Sequence, residues 1–130
     1  MKEIGSGREA TVFAVLRAKA KEGQEKIKTP RVLALRVPHK QGRVSPYTRK
    51  VCAMPGHPNV VNIHSIDSVS GLMLLEFMGG GTLADELVCD DLSVPRAVRV
   101  VEEVLKGAEH LHAHSFVHGQ ICPSNVLVGE

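Results

Sequence analysis

Two stretches at opposite ends of the 130-residue sequence hold the residue types that chemistry needs. Near the start, Gly5-Ser6-Gly7 precedes Val12, and a later apolar run, Arg31 to Val37, carries Arg36 near its end. Glycine backbone approaches an oxyanion with no Cβ in the way, and a cation on the next strand can reach the same anion. An inward-facing guanidinium in an apolar strand needs an anion, which sets Arg36 apart from the other cations. Together these residues describe a pocket for a nucleotide, whereas a GxG alone would only mark a turn. At the far end, VHGQICPSNVLVGE (Val117 to Glu130) places His118, Gln120, Cys122 and Asn125 on one short stretch.

Other reactive residue types have plainer readings. His110 and His114 stand at i and i+4, a metal-ligand spacing, but no acid or cysteine accompanies them in the pattern an enzyme metal takes. Histidines lining a helix end are the better reading. Cys122 is either a reactive thiol or an ordinary half-buried cysteine.

The elements that must position these residues follow from pattern. Met1 to Ala20 reads as strand, turn and strand around Gly5-Ser6-Gly7. Lys19 to Pro30 is a polar loop, and Arg31 to Val37 is a third strand. Ser45 and Pro46 open a helix of about nine residues that Pro55-Gly56 ends. Two strands flank the turn Ser68 to Gly71, and Thr82 to Asp85 has capping-box spacing ahead of a short helix. Ser93 to Ser115 is the clearest helix, with Ala97, Val98, Val101, Val104, Leu105, Ala108 and Leu111 on one face. Asn125 to Glu130 reads as a last strand. This order is an α+β arrangement.

Composition narrows the class. The chain is 43% hydrophobic and 23% charged, which fits one globular domain, and its core is aliphatic because aromatics are 3% and Trp is absent. Three cysteines without CxxC spacing suggest neither a disulfide framework nor a zinc site, and they fit a reducing setting, cytoplasmic or nuclear. No apolar run is long enough to span a membrane, so no membrane partner is expected. Residues 1–66 hold thirteen Lys/Arg against four Asp/Glu, whereas residues 85–130 hold three against eight. The cations lack interleaved aromatics, so nucleic acid is not the expected partner. A bound polyphosphate or an oppositely charged lobe is.

In order and spacing these motifs resemble the eukaryotic-type protein kinase family over essentially the whole chain. IGSGREATVF resembles the glycine-rich loop, with Ala10 at its third glycine, and LALR the third-strand VAIK motif, with Arg36 at the lysine. HPNVVNIHSI resembles the segment after the regulatory helix, LLEFMGGGTL the hinge, and LHAHSFVHGQICPSNVLV the catalytic loop with the helix before it. The resemblance implies a five-stranded antiparallel N-lobe sheet with a short regulatory helix, followed by the first helices of a truncated C-lobe. About 1–78 would be N-lobe and hinge, and 79–130 the start of the C-lobe. It further implies ATP held by Ile4, Gly5, Gly7, Val12, Ala34, Arg36, Glu76, Met78 and Leu127, and Mg²⁺ at Asn125. Gln120 and Arg36 would occupy the catalytic positions.

Departures from the family pattern bear on activity. The family's loop aspartate accepts the substrate proton, and Gln120 cannot. Arg36 keeps the lysine's charge but is a wide planar fork. The glutamate that should pair with it on the regulatory helix falls at Thr48, and no acid lies between Glu25 and Asp67. The chain stops before a DFG aspartate could appear, which reads as a fragment, a truncated product or a chain needing a partner. Three functions are therefore in play. One is a pseudokinase segment that keeps an ATP pocket and acts through protein contacts. The second is an active serine/threonine kinase within a longer chain, and the third a nucleotide-independent module binding an acidic partner through Lys26 to Lys50.

Overall fold

A computed structural model describes residues 1–16, 32–40, 42, 44–89 and 92–129. The expected loop Lys19 to Pro30 lies outside the described residues, as do Lys26, Lys28, Arg31 and Arg43 of the basic segment. The chain divides into two compact units. The first comprises Met1–Ala53 and Asn62–Phe77, the second Met54–Val61 and Met78–Glu130.

In the first unit, β1 (Lys2–Ser6), β2 (Ala10–Leu16), β3 (Val32–Pro38), β4 (Ile63–Ile66) and β5 (Met73–Glu76) form one antiparallel sheet of order β1-β2-β3-β5-β4. The central strand β3 carries Leu33 and Ala34, which are buried, while Ala10 and Val44 complete the core of this unit. The β2–β3 register is regular from Ala10 opposite Pro38 to Leu16 opposite Val32. Bulges interrupt β1 at Ile4 and β4 at His64, which re-aims the chain at both sheet edges. The expected turn at Gly5-Ser6-Gly7 sits slightly later, because pairing continues through Ser6 opposite Thr11 and leaves Gly7 to Glu9 to reverse the chain.

Helix α1 (Pro46–Cys52) begins as its sequence dictates, with Ser45 accepting from the Thr48 amide at 3.1 Å and Pro46 at a position that needs no N–H. It holds seven residues and is capped at Ala53, ahead of the Pro55-Gly56 pair. Between β4 and β5 the chain turns on Asp67, whose carboxylate accepts from the Val69 and Ser70 amides and the Ser70 hydroxyl.

In the second unit, α2 (Leu83–Val88) has the full capping box between Thr82 and Asp85. Glu86 and Arg96 tie it to α3 (Val94–Ala113), with Arg96 Nε donating to Glu86 Oε2 at 3.0 Å. α3 rotates away from the expected face. Gly107 and Leu111 are its buried residues, while Val98, Val101 and Leu105 are 55–62% exposed. The reason is steric, since the Asn59 carbonyl lies where a Cβ on residue 107 would stand and only glycine allows that approach. α3 ends in a Schellman motif, with Phe116 N donating to Leu111 O and Ser115 N to His112 O, both at 2.9 Å. The expected last strand is absent. Pro123–Asn125 form a 3₁₀ turn, and Leu127 makes a single bridge to Thr82, because Gly80 to Leu83 offers a partner only that short.

Candidate functional site

In the first unit the register gathers the glycine loop and the third strand. Gly5 stands opposite Val12, and Val12 opposite Arg36, so one cross-strand row runs from loop glycine to cation. Paired residues share a face, as do residues two apart, which puts Val12, Ala34 and Arg36 on one face of the sheet. A Cβ on Gly5 would meet nothing within 4 Å, so space lies open at the loop. Ile4 is the extra residue of the β1 bulge and is half exposed.

Arg36 turns toward the loop crown, where its Nη2 lies 3.8 Å from Glu9 Oε2. The two side chains are 30% and 84% exposed, so the pair contributes little to stability. It does settle the direction of the guanidinium. On α1 there is no acid to receive it, since Thr48 spends its hydroxyl on Ser45 Oγ at 2.9 Å and its amide on the same cap. Glu76 closes β5 onto Asn62, with Glu76 N donating to Asn62 O at 2.9 Å and Glu76 Oε2 accepting from Asn62 N at 3.2 Å. The Glu76 amide is thereby taken and cannot donate to a base.

In the second unit the loop after α3 is shaped by its own polar groups. Gly119 takes a φ of +79°. His118 Nδ1 accepts from Gln120 N at 3.1 Å, and Asn125 Nδ2 donates to Gln120 O at 2.9 Å. Both contacts hold the backbone of Gln120 and leave its side chain exposed. Cys122 Sγ lies 3.2 Å from Ser124 Oγ, and that hydroxyl lowers the thiol's pKa, followed by the amides of Asn125 and Ser124. Burial pushes the Cys52 thiol the other way. Beyond the loop, Leu83 N donates to Val126 O and Val128 N to Gly81 O, both at 2.9 Å, fixing Leu127 between them. Met78 Cε lies 3.5 Å from where a Cβ of Gly129 would stand.

A family profile described as "Protein tyrosine and serine/threonine kinase" matches residues 1–130. The chain belongs to the protein kinase family. This kinase-family chain is 30% identical over 131 residues, 98% of its length, to the serine/threonine-protein kinase max-2 of Caenorhabditis elegans. It is 29% identical over 133 residues, 97% of its length, to the probable serine/threonine-protein kinase mkcB of Dictyostelium discoideum. With the serine/threonine-protein kinase fray1 of the same organism it shares 33% identity over 86 residues, 62% of its length. The kinase-family chain spans 20%, 17% and 15% of these relatives respectively.

Within the kinase-family chain the expected residues fall on separate units. Ile4, Gly5, Gly7, Val12, Ala34, Arg36 and Glu76 lie in the first, and Met78, Gln120, Asn125 and Leu127 in the second. The residues of the first unit suit the phosphates of ATP, through open space at Gly5 and a cation in its row. Asn125 donates its amide nitrogen to the loop, which leaves Oδ1 as one neutral oxygen that could face Mg²⁺, with the anionic ligands left to a nucleotide's phosphates. Among the described residues no group of three or more His, Cys, Asp or Glu could hold a metal, and no helix is long and apolar enough to cross a membrane.

Sequence reasoning missed Glu9 and His39. The His39 ring contacts the loop at Arg8 O and Thr11 Oγ1, and its amide donates to Glu9 O at 2.8 Å. Only the polar character of Thr11 and Ser6 hinted at such a network.

Proposed function

We propose that this chain is a kinase-family domain that binds ATP and has little or no phosphoryl-transfer activity, serving as a scaffold or regulator through protein contacts. One observation carries the reading. The loop between His118 and Asn125 keeps its hydrogen bonds, and the residue they present to solvent is the neutral amide of Gln120. An amide cannot accept the acceptor hydroxyl's proton, and losing a general base costs about 10²- to 10⁴-fold in rate. The pairing of Arg36 with Glu9 rather than with an acid on α1 supports the same conclusion. Val94, Val98, Val101 and Leu105 on α3 form an exposed apolar row, which supports a protein surface as its cover.

The test is a single-turnover experiment with γ-labelled ATP, Mg²⁺ and a mixed serine/threonine peptide pool. The expected result is saturable nucleotide binding without label transfer above the rate in buffer. Transfer at the roughly 1–100 s⁻¹ of working kinases would overturn the proposal.

A further inference from the structure

The cation in the row of Gly5, Val12 and Arg36 is already supplied with an anion by the chain itself. Arg36 Nη2 lies 3.8 Å from Glu9 Oε2, and among the described residues Glu9 is the one acid within ion-pair distance of Arg36. Glu9 belongs to the turn between β1 and β2, ahead of Ala10 where strand pairing resumes, so its side chain is not bound to the alternation of either strand. Its backbone is nevertheless fixed. His39 N donates to Glu9 O at 2.8 Å, which anchors the turn to the end of β3, and Gly7 N donates to Ala10 O at 2.9 Å, which closes the turn on itself. A pinned turn thus presents one carboxylate to the guanidinium.

The open space at Gly5 lies in the same cross-strand row, so a phosphate that enters there is offered the guanidinium that Glu9 holds. A guanidinium has donors enough for two anions, but two anions on one guanidinium stand within a few ångströms of each other and repel. Of the two, the polyphosphate carries more charge, and Glu9, 84% exposed, gives up little when it returns to water. We propose that Glu9 is an intramolecular competitor for Arg36, and that nucleotide binding exchanges the pair of Arg36 with Glu9 for one of Arg36 with phosphate. The inference rests on the reading that this loop meets the phosphates of ATP, and it names the residue that limits the chain's hold on them.

ATP affinity of the full chain at low ionic strength, where such pairs are least screened, tests it in wild type, Glu9→Gln, Arg36→Gln and the double variant. Glu9→Gln is expected to bind ATP about fivefold more tightly than wild type, and the same change beside Arg36→Gln to gain only about 1.5-fold. The smaller gain is repulsion between Glu9 and phosphate, which acts with or without Arg36. The ratio of the gains, about threefold, is the competition itself, and it matches the worth of an exposed ion pair. Equal gains in the two backgrounds would overturn the proposal. So would weaker binding by Glu9→Gln, which would make Glu9 an orienting partner of Arg36. Glu9→Asp gives a second reading with Arg36 in place, decisive where Arg36→Gln binds no ATP. It keeps the charge but draws the carboxylate back by one methylene while the His39 anchor holds the backbone, so it too is expected to gain affinity; wild-type affinity there would contradict the exchange. Adenosine, which offers Arg36 no phosphate, is expected to bind wild type and both Glu9 variants alike, and a gain for adenosine would also overturn it. ATP binding that ignores Glu9 sinks the inference and leaves the nucleotide reading standing, whereas binding by none of the proteins removes both.

Discussion

Replacing Gly107 by alanine sets two effects of opposite sign against each other. Alanine in a helix interior is favoured over glycine by about 1 kcal/mol, and α3 has ample turns on either side to express that gain. Against it stands the Asn59 carbonyl oxygen, 2.5 Å from where the new Cβ would lie, with the carbonyl carbon at 3.3 Å. An ordinary contact begins at 3.4 Å, so helix or turn must shift by nearly an ångström. The turn resists, because Asn59 N is bound to His57 Nδ1 at 3.1 Å and Val60 N to His57 O at 3.1 Å. Overpacking of this kind costs about 1–3 kcal/mol, and a rigid backbone neighbour places this site near the upper end. The net effect is a loss of about 1–2 kcal/mol, which lowers Tm by roughly 4–8 °C in a chain of this size. Thermal unfolding by circular dichroism reads it directly. A Tm raised by Gly107→Ala would mean that helix propensity dominates and that the approach of α3 to Asn59 is not the constraint described.

Other consequences are as direct. Ser115 holds a φ of 63° at the left-handed position after α3, so Ser115→Gly is expected to stabilise by about 1 kcal/mol and raise Tm by a few degrees. Asp85 and Glu86 have lowered pKa values, from Thr82 hydrogen bonds and from Arg96 respectively, and Asp67 from Ser70 and Val69. Their contribution is complete above the unfolded carboxylate range near pH 4 and is lost as pH falls through the lower folded values, so Tm should fall modestly below about pH 4 and less so in Glu86→Gln. Cys122, with its lowered pKa, should alkylate with iodoacetamide faster than Cys52, and Ser124→Ala should slow it.

What the sequence revealed was what local rules govern. The Ser45-Pro46 start, the Thr82-Asp85 box and the strands at β2 and β3 each depend on neighbours within a few positions, and each formed as read. The kinase-family sheet was legible for the same reason. Contacts between distant positions were not. Nothing in the residues around His39 announces Thr11, 28 positions away, and nothing around Gly107 announces Asn59. Helical periodicity grouped Val98, Val101 and Leu105 with Leu111, and only the glycine's close approach shows which side of α3 is buried. The last strand failed because an apolar run does not by itself make a pairing, and this one, half exposed, makes only the bridge from Leu127 to Thr82.

A retained nucleotide pocket is the central claim, and thermal unfolding of the chain with and without Mg²⁺ and ATP addresses it most directly. At about 100 times Kd a ligand stabilises the native state by roughly 2.7 kcal/mol, so an ATP-dependent rise in Tm is expected. A cooperative transition that ATP leaves unmoved would contradict it.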